Sequence, residues 1–84
     1  MECAVHALAS LERECIYVGS SVDVGRRIGE HQRGKEPATR AYRPFEMLLI
    51  EVLPDRVAAR KREKFLKSGA GKELLKEIRS RRRN

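Results

Sequence analysis

The chain has 84 residues, 37% charged and 40% apolar, with 19 Lys and Arg against 12 Asp and Glu for a formal net charge of +7. That length holds one small core rather than two, and the composition is too apolar in its periodic segments for a disordered chain. No apolar run approaches the ~18 residues of a membrane-spanning helix.

Met1-Glu2-Cys3 opens without the basic-then-apolar plan of a signal peptide, so a cytoplasmic location is expected. Cys3 and Cys15 are too few for a disulfide scaffold and belong to no CxxC or Cys/His cluster, so they read as reduced fillers. Charge is unevenly placed. Residues 1–42 carry six basic and six acidic side chains and residues 43–84 carry thirteen and six, so the whole excess comes from the second half. A one-sided basic surface is what a phosphate backbone attracts, through release of condensed counterions.

In chain order, residues 3–8 and 14–19 are short β-leaning runs separated by Ala9 to Arg13, which predicts an antiparallel hairpin with a five-residue connection. In the second run Cys15, Tyr17 and Gly19 share one face and Ile16 and Val18 the other, so Tyr17 is free to leave the core. Ser20-Ser21-Val22-Asp23 has the Ser-x-x-acid form of a helix start, and the helix runs to about Arg33 before Gly34 breaks it. Along it Asp23, Arg27 and His31 recur at i, i+4, i+8, so an arginine and a histidine point the same way. Gly34 to Pro44 reads as a mobile loop.

Phe45 to Leu53 is nearly all apolar and is expected to be a central, well-buried strand. Asp55 caps a helix to about Ser68, closed by Gly69, with Ala58, Ala59, Phe65 and Leu66 facing inward. Glu63, four residues after Ala59 and three before Leu66, falls at the edge of that buried face. A last helix over about 72–79 and a frayed basic tail, 80–84, complete the chain. The expectation is one α/β (α+β) domain over residues 1–79, a three-stranded antiparallel-type sheet flanked by three helices in the order β-β-α-β-α-α, followed by that tail.

Tyr17-Val18-Gly19, then Arg26-Arg27-Ile28 and His31, resembles the second motif and following helix of the GIY-YIG nuclease superfamily. Thr39 to Phe45 is similar to the loop leading into that family's third strand, and Arg62-Glu63-Lys64 to the helix that carries its metal-binding glutamate. The resemblance covers about residues 3–78 and is nearest to the small stand-alone branch related to the endonuclease domain of the UvrC repair subunit. It implies a DNA endonuclease of repair or recombination, with branched or damaged DNA as substrate, Mg²⁺ or Mn²⁺ as cofactor, and a possible protein partner for targeting. The first motif departs from the family. Ala4-Val5-His6 stands where Gly-Ile-Tyr is expected, so either an imidazole replaces the phenol or activity has been lost and a binding module remains.

The chemistry suits the residues. One carboxylate, Glu63, suffices for a hard divalent ion that keeps several waters. Arg27 offers a forked grip on the scissile phosphate that lysine cannot reproduce. Tyr17, a phenol with a reference pKa near ~10, needs help from a cation or the metal to take a proton from water, and His6 and His31 titrate near neutrality. Lys35, Thr39, Arg40, Tyr42 and Arg43 in the loop, and Arg60, Lys61, Lys64 and Lys67 beside Glu63, are candidates to follow a sugar-phosphate backbone. No aromatic-rich sheet is present for base stacking of the RNA-recognition type. Two other readings fit the same residues: a non-catalytic nucleic-acid-binding module, and a small scaffold whose basic tail docks an acidic partner.

Overall fold

The computed structural model describes residues 1–83. Three strands and three helices follow in the expected order: β1 (Cys3–Ser10), β2 (Ile16–Ser21), α1 (Val24–Gln32), β3 (Phe45–Leu53), α2 (Arg56–Leu66) and α3 (Gly69–Arg83), with a single 3-10 turn over Arg40–Tyr42. The sheet is antiparallel in the order β2-β1-β3, with Leu8 opposite Tyr17 on one side and Met47 on the other. The central strand is therefore β1, and the expectation of a central Phe45–Leu53 strand is corrected. All eight β1 residues are buried, whereas β3 is an edge strand that leaves Ile50 and Val52 exposed.

Side chains alternate along β1 and sort into two layers. Cys3, Val5, Ala7 and Ala9 meet Val18, Leu48, Ala59, Leu66 and Leu75 to form the hydrocarbon core beneath α2 and α3. Small residues on β1 let these helices sit close to the sheet. On the opposite face His6 lies under α1, near Tyr17 and His31. An irregularity of register between Ala7 and Leu8 sets Leu48 into the core and changes which β3 residues face α1.

Local chemistry explains where the elements differ from the sequence reading. Ser20 and Ser21 stay in β2, and Asp23 caps α1 by accepting from the Arg26 amide at 3.2 Å. Gly34, at φ 76°, ends that segment as expected. The next stretch is tied rather than loose, because the Gln32 side chain donates to the Phe45 carbonyl at 2.8 Å and accepts from its amide at 3.0 Å. Phe65 is exposed rather than inward, lying beneath the Arg62 guanidinium.

Gly69 opens α3 instead of merely closing α2, and the helix runs on through the basic residues expected to fray. Long-range contacts hold it there: Arg79 pairs with Glu14 at 3.0 Å, and Arg83 pairs with Glu46 at 3.2 Å and donates to the Ser10 carbonyl at 3.0 Å. Asn84 lies outside the described residues. Both cysteines are free thiols. No described helix is long and apolar enough to cross a membrane.

The turn between α2 and α3 depends on Gly71, where a Cβ would run into the Phe65 carbonyl and the Leu66 backbone. Helix propensity alone favours Gly71→Ala by roughly 1 kcal/mol. Overpacking against backbone opposes it by ~1–3 kcal/mol. Because backbone cannot step aside as a side chain can, the second effect wins. Gly71→Ala is expected to lower the urea midpoint, and a raised midpoint would contradict the close approach.

Candidate active site

Gly19 is the point around which the site assembles. It lies in β2 opposite His6, and a Cβ added to it would stand 2.9 Å from the Tyr17 hydroxyl and 3.2 Å from His6 Nε2. Glycine there lets phenol and imidazole close over the strand. Tyr17 lies on the face away from the hydrocarbon core, as the alternation predicts, with its ring 4.3 Å from that of His31 and 6.1 Å from that of His6.

Both histidines are completely buried. His31 Nδ1 is 2.8 Å from the Thr39 hydroxyl, which has the Glu36 carbonyl as its own acceptor at 3.4 Å. That network assigns the ring proton to Nδ1 and leaves the Nε2 lone pair without a partner. Neither nitrogen of His6 has a partner. Burial, then the positive charges of His31 and Arg27, push the His6 pKa down to about 4 despite the opposing pull of Glu63. Burial and Arg27 also lower that of His31, against Glu36 and Glu30. The histidines are therefore neutral rings at physiological pH, sealed behind Tyr17 and out of direct reach of a substrate.

Arg27 projects from α1 and is a third exposed, with one terminal nitrogen 3.3 Å from Glu30 and the other 3.5 Å from Glu36. Contact with the Tyr17 hydroxyl raises its pKa. Burial opposes that, while the charge of Tyr17 and the two carboxylates reinforce it. The guanidinium is thus a permanent positive charge with a fixed direction, and five N–H donors exceed what two carboxylates consume. Arg26 beside it makes only long contacts, 3.8 Å to Asp23 and 3.9 Å to Glu30.

Glu63 arrives from the other layer. Arg62 grips Glu51 of β3 in a bidentate pair at 2.6 and 3.2 Å, which sets the rotation of α2 and turns the next residue toward β2. There the Ser20 hydroxyl donates to Glu63 Oε1 at 2.7 Å and the Lys67 ammonium to Oε2 at 2.8 Å. Burial alone would raise the Glu63 pKa, but those two hydrogen bonds and the Lys67 and His6 charges outweigh it and hold the carboxyl below its usual range. The ionised carboxylate is partly exposed. Among the described residues no group of three or more His, Cys, Asp or Glu could hold a metal ion. What Glu63 offers is one ionised, partly exposed carboxylate, a donor that a hard ion keeping most of its waters can use, with exposed Lys67 as the group it would displace.

The remaining candidates divide. Thr39 is 4% exposed, with its hydroxyl turned inward to His31. Lys35 is exposed. Arg40 and Arg43 spend their Nε–H groups on the carbonyls of Gly34 and Arg40, which folds the loop and leaves their outer nitrogens to solvent. Tyr42 sits 5.8 Å from the Arg13 guanidinium. Arg60, Lys61 and Lys64 line one shallow groove with Arg56. Lys67 is the counter-ion of Glu63. Sequence reading missed the clamps, Glu30 and Glu36 on Arg27 and Ser20 on Glu63. Of these only Glu30, three residues after Arg27, carried a local signal.

The family model described as the GIY-YIG catalytic domain matches residues 2–76. The chain is also similar to the UPF0213 protein BH0048 from Bacillus halodurans, whose solution NMR structure is 31% identical, covers 93% of this chain and 85% of its own, and superposes with a TM-score of 0.56. A search of curated proteins finds no match.

A histidine neutralised by folding costs stability when it must charge. The unfolded state takes up a proton below pH 6.5 and folded His6 only near about 4, so its contribution is complete above 6.5 and is lost as pH falls between those values. The loss amounts to roughly 3 kcal/mol. His6→Phe is expected to flatten this part of the stability profile in urea titrations at pH 7, 6 and 5. Acid loss due to Glu63, whose pKa is held down, is confined to lower pH.

Proposed function

We propose that this chain, which belongs to the GIY-YIG family of nuclease domains, is a metal-dependent endonuclease that hydrolyses phosphodiesters in branched or damaged DNA during repair or recombination. Nucleases of this family act on DNA, and the excess of cations in the second half of the chain suits that substrate. What supports the reading is a pair of contacts at one end of β2: Tyr17 of that strand meets Arg27 of α1, and the nearby Ser20 hydroxyl donates to Glu63 of α2 at 2.7 Å.

Each group has a role its surroundings support. Arg27, held by two carboxylates, presents its unused donors to the phosphate and stabilises charge as it builds on the non-bridging oxygens. Tyr17, in contact with that guanidinium, takes the proton from the attacking water. His6 is too poor a base to store that proton, and being sealed from solvent it acts through Tyr17, packing against the phenol and limiting where it can turn. His31 packs against the same ring. Glu63 would hold Mg²⁺ or Mn²⁺, which supplies Lewis-acid stabilisation of the phosphoryl oxygens.

The decisive measurement is nicking of branched plasmid DNA in Mg²⁺ or Mn²⁺. Glu63→Gln keeps the shape of the side chain and its Ser20 contact while removing the charge. It is expected to lower the rate at least ~100-fold, as is Arg27→Lys, on the scale of a lost charge-stabilising group. Equal cleavage by Glu63→Gln and the unaltered chain would reject the assignment. A second reading, DNA binding without turnover, is favoured by Lys67 already neutralising Glu63. It predicts salt-dependent retention on DNA and no metal-dependent nicking by the unaltered chain.

A further inference from the structure

A polar recess of about 230 Å³ opens between the end of β2 and the first turns of α1 and α2. Arg26, Arg56 and Arg60 line it with Ser20 and Ser21, and no carboxylate does. Among the described residues Arg56 and Arg60 have no acidic partner, and Arg26 has only its two long contacts. Three guanidiniums gathered around one recess repel one another, and an anion there removes that cost. Their forked N–H groups match phosphate oxygens, and the Ser21 hydroxyl, which only accepts from the Asp23 amide, adds a short donor.

The position of the recess says which phosphate. Ser20 forms part of its wall and also holds Glu63. Arg60 and Arg56 precede Glu63 by three and seven positions, so all three share one face of α2. The recess therefore continues the strip of surface that begins at the Glu63 carboxylate.

We infer that this recess is a subsite for a second phosphate of the nucleic-acid strand, adjacent to the one attacked beside Glu63 and gripped by Arg26, Arg56 and Arg60. The inference rests on the nuclease reading for its register along the strand but not for the phosphate itself. Its consequence is orientation: two phosphates fixed on one strip define the direction in which a strand crosses the site, which one contact at Arg27 does not.

The test is binding without divalent metal, followed by fluorescence anisotropy over a salt series. The probes are branched DNA duplexes carrying an uncharged methylphosphonate at each position around the junction in turn, and the same duplexes without terminal phosphates. The proteins are the unaltered chain and Arg56→Gln/Arg60→Gln, with thermal melts confirming that both are folded. The double variant is expected to bind more weakly, with a salt slope smaller by about two. It should also lose the sensitivity to one particular neutralised phosphate that the unaltered chain shows. If that phosphate is a terminal one, the recess holds a strand end; if internal, a phosphodiester. An unchanged slope and affinity, or an equal sensitivity to every neutralised position in both proteins, would overturn the subsite. Should Glu63→Gln nick DNA as fast as the unaltered chain while the position-specific loss is seen, the assignment built on Glu63 falls and the phosphate subsite stands.

Discussion

The candidate residues come from opposite sides of one sheet, and that constraint governs the rest of the structure. Tyr17, His6, Arg27 and His31 belong to the α1 layer, whereas Glu63 belongs to the α2 layer beyond the hydrocarbon core. A β-sheet separates its two faces completely in its middle, so groups from both faces can meet only around an edge. β2 is an edge strand, and at its far end the missing side chain of Gly19 and the short one of Ser20 narrow it to little more than backbone. The Ser20 to Glu63 hydrogen bond at 2.7 Å holds the acid at that edge. Had β2 been central, the same five side chains would have lain on two unrelated surfaces.

Meeting at an edge creates an electrostatic problem that the chain resolves with neighbours. An arginine, a glutamate and two imidazoles within one small region would otherwise pair directly, collapsing the space a substrate needs. Glu30 and Glu36 hold Arg27, and Lys67 holds Glu63, so each charge has a counter-ion of its own and neither is drawn onto the other. Burial keeps His6 and His31 uncharged, which removes two further cations from beside Arg27. Part-exposed pairs of this kind add little to stability. Their effect is on direction: they fix where the guanidinium and the carboxylate point.

Much of this was legible in local pattern. Period-two alternation separates Tyr17 and Gly19 from Ile16 and Val18, and the spacing of Ala59, Glu63 and Leu66 puts the acid at the rim of a buried stripe, as found. What pattern could not supply was the pairing of distant segments. Phe45 to Leu53 is the most apolar run, yet it lies at an edge, because strand order is decided by which strand pairs with both others. The Ala-rich β1, with a histidine in its middle, takes the centre since its small residues admit α2 and α3 on one face. The continuation of α3 was equally hidden, because the acids that hold its basic end, Glu14 and Glu46, lie far back in the chain. Thr39 looked like a loop hydroxyl available to solvent. Only the approach of α1 shows it consumed by His31.

The family's tyrosine position is occupied by His6, and a phenol on the central strand would have to put its hydroxyl where the imidazole nitrogens now lie unpartnered beneath Tyr17. A phenol there is a donor that must find an acceptor. Neutral imidazole instead brings a lone pair that can accept from the Tyr17 hydroxyl. The exchange puts an acceptor where a donor would stand, and burial keeps that ring from adding charge to the site. It therefore leaves the Arg27 and Glu63 arrangement undisturbed, and it ties the orientation of Tyr17 to a ring that stays neutral only while folding keeps it dry.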